Sequence, residues 1–180
     1  HDHDGFVGAC VSRVREAWET LPEPMRDGVR LVFTAHSVPV SMAAESRYEA
    51  QLLESARRIA AGVGVTDWAL VYQSRSGRPQ DPWLEPDICD YLRAERECGL
   101  EAVVICPVGF VCDHVEVLYD LDHEAAEVCR DVGIEMRRAA AVNDDPQFLD
   151  LMADMVRRTV DRYAAGRPLP ICGEREPSSA

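Results

Sequence analysis

An imidazole at position 36 and carboxylates at positions 116, 120 and 124 are the side chains of this sequence best suited to move protons or hold a cation. His36 sits in the segment FTAHSVP, where an apolar run is stopped by Pro39. Imidazole titrates near neutrality, so it can act as a base or a metal ligand. Taken alone, it reads as readily as a strand-end histidine satisfied by backbone. Glu116, Asp120 and Glu124 recur every fourth residue in VCDHVEVLYDLDHE. On an α-helix, at 1.5 Å rise per residue, they would form a gently drifting line about 12 Å long. Like charges at i, i+4 cost roughly 0.2–0.5 kcal/mol per pair, so the line asks for a reason. Asp113 as N-cap with Glu116 three residues on is a D-x-x-E variant of a capping box, which gives part of one. It does not reach Asp120 and Glu124, which lie beyond the first turn; their plain reading is a solvated face. Imidazole with carboxylate suits a weak site for a divalent ion. The same pair could transfer protons.

These residues need elements to bring them together. A leading helix is expected from about Phe6 to Trp18, followed by four strand-then-helix units. The strands are Val29 to Ser37, Asp67 to Ser74, the apolar run AVVICPVGF and the short IEMRRAA; the helices between them show near-helical apolar spacing. A last helix begins near NDDPQF, with Phe148, Leu151, Met155 and Val160 inward. Alternating β and α predicts an α/β fold, a three-layer parallel sheet flanked by helices. In such sheets the site lies outside the carboxyl ends of the strands. His36, Gln73, Ser74, residues 113 to 116 and Asn143 all fall at that edge. Trp83, in the loop YQSRSGRPQDPWLEP, could stack on a flat ligand there, although tryptophan is more often packed. No G-x-G-x-x-G or P-loop pattern occurs, which gives little support to dinucleotide or nucleotide readings.

The 180 residues allow one domain with a sizeable core: residues 1–165 form the lobe and 166–180 a flexible tail. A net charge of −13 argues against nucleic acid and against polybasic membrane contact. No apolar run approaches the roughly 20 residues of a transmembrane segment. Seven scattered cysteines without C-x-x-C predict free thiols in a reducing, cytoplasmic setting. All 19 basic residues are arginine, which suggests a GC-rich bacterial genome. No long exposed apolar stripe stands out to suggest an oligomer. The chain opens HDHDGF, and is expected to be a piece of something longer.

Four segments in order resemble the ferrochelatase family: FTAHSVP, YQSRSG with PWLEP, PVGFVCDHVEVLYDLD and RAAAVNDDPQF. The third is long and specific, with Cys112 where the family commonly has serine. The resemblance runs from about Asp2 to Tyr163 and implies a chelatase-like lobe, the C-terminal of two. It implies Fe2+ as substrate, inserted into a porphyrin in heme synthesis, with His36 and Glu116 facing the macrocycle centre. Asp120 and Glu124 would continue inward as a metal or proton path along an irregular helix. Ser37, Gln73, Ser74, Trp83 and His114 would help bind the porphyrin. The arginine-rich composition points to an actinobacterium and so to coproporphyrin III. Some members hold a [2Fe–2S] cluster; only Cys10 and Cys172 match its ligand positions, and a cluster needs four, so none is expected. Without the N-terminal lobe this chain is expected to insert iron poorly. Two other readings stay open: a non-catalytic metal- or tetrapyrrole-binding module, and a cobalt or nickel chelatase.

Overall fold

The computed structural model describes residues 1–78 and 80–166. Helix α1 (Asp4–Glu19) leads into a 3-10 turn and strand β1 (Arg30–His36). Short α2 (Val40–Ala44) and long α3 (Tyr48–Val63) carry the chain to β2 (Trp68–Gln73), and α4 (Ile88–Glu97) carries it to β3 (Ala102–Cys106). After β3 comes a continuous helix of three parts: α5 (Val115–Val117), a π-helical segment (Leu118–Ala125) and α6 (Ala126–Val132). Its junction residues Val117, Leu118, Ala125 and Ala126 all have right-handed helical angles. Strand β4 (Glu135–Arg138) and α7 (Pro146–Ala164) complete the order.

The strands pair in the order β2-β1-β3-β4, all parallel. Alternation along β1 divides its side chains between two cores. Leu31, Phe33 and Ala35 meet α1 and α3 on one face, while Val32 joins Val71, Val103 and Ile105 against α4, the π-segment and α6. This is the three-layer α/β arrangement. Since β2 and β3 flank β1 on opposite sides, the chain direction switches beside β1. That opens a crevice at the carboxyl ends of β1 and β3. The third strand stops at Cys106, short of the expected run, because Pro107 follows and Gly109 folds back on β1. There, Gly109 N–H donates to Thr34 O at 3.0 Å.

Helix α7 departs from expectation. Phe148 and Leu151 pack inward against the first core, but Met155 and Val160 are 48% and 59% exposed. Leu149, Met152, Val156 and Tyr163 are exposed too, so the helix carries an apolar stripe toward solvent that its spacing had not suggested. The spacing alone could not tell which of two apolar faces meets the sheet. Among the described residues, no helix is long and apolar enough to cross a membrane.

Candidate functional site

His36 ends β1, and Glu116 lies in the first turn after β3, on the other side of the crevice. Their side chains meet: His36 Nε2 is 3.4 Å from Glu116 Oε1, with both groups part-exposed. The opposite ring nitrogen is already engaged, since His36 Nδ1 lies 2.5 Å from Ser37 O. A carbonyl can only accept, so Nδ1 is the donor of that bond and Nε2 is the ring nitrogen turned to Glu116. Tyr48, which sequence reasoning did not single out, donates from its hydroxyl to His36 O at 2.9 Å. Burial pushes that phenol's pKa up, which keeps it a donor.

Ser37 and Gln73, expected beside the macrocycle, are 2% and 1% exposed. They offer almost no surface to a ligand and instead hold the frame. Ser37 N–H donates to Gln73 O, and Ser37 Oγ donates to Leu84 O, each at 2.8 Å. Trp83 is half-buried beneath its own loop: a Cβ added at Gly77 would fall 2.1 Å from the indole. The Trp83 segment is stitched to the chain after β1 by Val40 N–H to Pro82 O and Leu84 N–H to Val38 O, each 3.0 Å. His114 stands edge-on to Phe110, ring centroids 5.3 Å apart.

The expected capping box does not form. His114 is the N-cap of α5 and makes no side-chain cap. Asp113 turns away, with Oδ1 accepting from Ala141 N–H at 3.1 Å and from Arg138 at 2.7 Å, and Oδ2 from Asn143 Nδ2 at 2.8 Å. Asn143 Oδ1 in turn accepts Asp113 N–H at 2.9 Å. Burial raises the Asp113 carboxyl, but the bonds from Asn143 and Ala141 and the Arg138 charge outweigh it and hold the pKa below the ordinary value. Three donors in a tertiary pocket compete better than one exposed helix N–H, so Glu116 is left free to face His36.

Residues 118–125 are π-helical, so the regular helix drawn from spacing through Glu116, Asp120 and Glu124 gives way to the irregular helix that the resemblance implied. Asp120 is engaged rather than free: its Oδ2 accepts from Gln73 Nε2 at 3.2 Å and from Ser74 Oγ. Glu124 lines a groove of about 400 Å³ with Asp87, Asp90, Glu127 and Asp131. Burial raises the Asp87 carboxyl against the backbone bonds of Cys89 and Asp90, and the Asp90 and Asp120 charges add to the push. Arg93 also lines the groove and pairs with Asp90, and the remaining acids leave it negative. Cys10 is 5% exposed beside Cys106 in the first core. Cys172 and nearly all of the expected tail lie outside the described residues.

A family model described as Ferrochelatase matches residues 1–160. The chain belongs to the ferrochelatase family. It is 44% identical over 178 residues to the ferrochelatase of Rhodopirellula baltica, covering 98% of this chain and 49% of that protein. It is 48% identical over 158 residues to the coproporphyrin III ferrochelatase of Mycolicibacterium smegmatis, covering 86% of this chain and 46% of that one. This ferrochelatase-family chain thus spans about half the length of the curated relatives it matches. Its fold is shared with a solved protein of Marinobacter aquaeolei VT8 described in terms of cobalamin (vitamin B12) biosynthesis, at TM-score 0.54 and 15% identity, over 74% of this chain and 98% of that one.

Proposed function

We propose that this chain is the part of a ferrochelatase that carries the metallation pair, inserting Fe2+ into a porphyrin, coproporphyrin III, during heme synthesis. One observation carries the reading: an imidazole nitrogen and a carboxylate oxygen face each other at 3.4 Å in the crevice. A ring nitrogen and a carboxylate oxygen at that separation can share a proton or hold a cation between them. Ligand atoms about 2.1 Å from one tetrahedral ion lie about 3.4 Å apart, so the pair suits two adjacent positions on a divalent metal. Two ligands of nitrogen and oxygen type bind such an ion weakly, which suits delivery rather than storage.

Metallation also requires removal of two pyrrole N–H protons. His36 Nε2, with Nδ1 tied to Ser37 O, is oriented to accept one, and Glu116 can receive another or pass it to solvent. The Glu124 groove would draw cations toward this edge by its negative field. Trp83 and His114 are proposed to flank the macrocycle. The actinobacterial relatives named coproporphyrin III ferrochelatase support that substrate. The six free cysteines of the described chain support a reducing cytoplasm. Because the chain spans half of its relatives, activity is expected only when the additional polypeptide is joined to it.

The test is anaerobic Fe2+ insertion into coproporphyrin III, followed by absorbance in the completed protein and in its His36→Ala and Glu116→Ala variants. Each variant is expected to lose turnover about 100-fold or more while keeping its melting temperature and porphyrin binding. Turnover retained in Glu116→Ala would sink the assignment. Porphyrin binding without turnover in the unsubstituted protein would favour a binding module. Faster insertion of Co2+ or Ni2+ would make it a chelatase for those ions.

A further inference from the structure

The middle acid of the line, Asp120, is held by the last residues of β2. Gln73 is 1% exposed and pairs in register with His36 across β1 and β2. Its Nε2 points at Asp120, and its buried Oε1 has no partner among the described residues. Flipping the amide would set its oxygen against a carboxylate, so Asp120 selects this orientation. Ser74 lies in the left-handed region at φ 62°, which a residue with a Cβ seldom adopts, and its hydroxyl reaches the same carboxylate oxygen. Two adjacent residues thus accept an unmet acceptor and a strained backbone in order to bond one side chain. That side chain sits on a π-helical segment, a form that rarely persists beyond a single turn inside a longer helix.

We infer that Gln73 and Ser74 are positioning residues: they clamp Asp120 to the end of β2 and so set the register of the π-segment that turns Glu116 toward His36. The inference rests on the reading of His36 and Glu116 as the metallation pair. Asp120 acts here through an oxygen that accepts two hydrogen bonds, and not through its charge. The two halves of the site then hang from neighbouring strand ends, His36 on β1 directly and the helix on β2 through the clamp.

The test uses this chain and its Ser74→Ala, Asp120→Ala, Asp120→Asn and His36→Ala variants. Amide hydrogen exchange is read across residues 115–125, and Co2+ binding is read from visible d–d absorption. Ser74→Ala and Asp120→Ala should each speed exchange there and weaken Co2+ binding by up to about tenfold, the scale of an ordinary lost hydrogen bond. Asp120→Asn keeps an oxygen for both donors and should stay within about twofold of the unsubstituted chain on both readouts. Equal damage from Asp120→Asn and Asp120→Ala would show that the charge matters and overturn the clamp. Unchanged exchange in both Ser74→Ala and Asp120→Ala would overturn it as well. Co2+ binding undiminished by His36→Ala defeats the metallation reading instead, and the exchange data then decide the clamp by themselves.

Discussion

Asp113 shows how one side chain can be claimed by two structures. In sequence it stands where a helix cap belongs, yet the tertiary fold gives its carboxylate Asn143, Ala141 N–H and Arg138. Truncation to alanine would leave those donors without their acceptor in a part-buried site, so Asp113→Ala should cost about 2–3 kcal/mol in urea denaturation at pH 7. The pH dependence follows from the lowered pKa. The folded carboxyl titrates below its unfolded value of about 3.9, so its stabilisation is complete above that value and disappears as pH falls through the folded pKa. The stability gap between the unsubstituted chain and Asp113→Asn should therefore be constant from pH 7 to about 5 and shrink as pH falls below about 4. A gap that does not shrink at all as the pH is lowered would mean the carboxylate charge is not what holds this loop.

At the scale of elements, the site depends on how closely the turn after β3 approaches β1. Gly109 makes that approach possible: a Cβ there would lie 2.6 Å from Ala35 Cβ and 2.7 Å from Ala35 Cα. No flexible side-chain end is available to yield, because the obstacle is backbone next to His36. Gly109→Ala should destabilise by about 1–3 kcal/mol through overpacking, and should weaken Co2+ binding by shifting Glu116 away from His36. Melting curves and the Co2+ titration check the two effects separately. Loss of stability with metal binding untouched would mean that the strain is absorbed on the loop side, away from Glu116. The same loop carries Val111, whose carbonyl accepts Asn143 N–H at 3.0 Å, so β4's exit also braces the turn.

For the whole molecule, α7 is the element whose two faces part company. Its inner side contributes Phe148 and Leu151 to the first core, and Phe148 lies 6.3 Å, ring to ring, from Phe6. Its outer side leaves Val156 63% and Tyr163 62% exposed. Val156→Asp should change stability by no more than about 0.5 kcal/mol, the usual range for a surface position, and should lower binding of an apolar dye. Phe148→Ala should cost roughly 2–3 kcal/mol because it empties part of the core. A large loss from Val156→Asp would mean that the side chain packs inside the folded chain after all. Beside this stripe, a cleft of about 840 Å³ lies between the start of α1, α3 and α7, lined in part by Phe6, Leu52 and Val108.

The sequence by itself determined the alternation of strands and helices, the parallel sheet, and the placement of His36 and Glu116 at its carboxyl edge. Those follow from local apolar periodicity and from the rule that a parallel strand must return through a crossover. Helix α3 was legible as a helix, because Tyr48, Leu52, Ala56, Ile59 and Val63 fall at near-helical spacing on one face. What only the tertiary structure decided were the partners of polar groups and the faces of amphipathic elements. The diversion of Asp113 from its cap, the burial of Ser37 and Gln73, and the bonds of Asp120 to β2 all join residues at least 25 positions apart, apart from neighbours within a motif. The π-helical register of residues 118–125 belongs to the same class, since residue spacing cannot distinguish i→i+5 from i→i+4 bonding. The outward stripe of α7 was hidden for a related reason: a helix with two apolar faces has a period but no preferred side until a sheet is set against it.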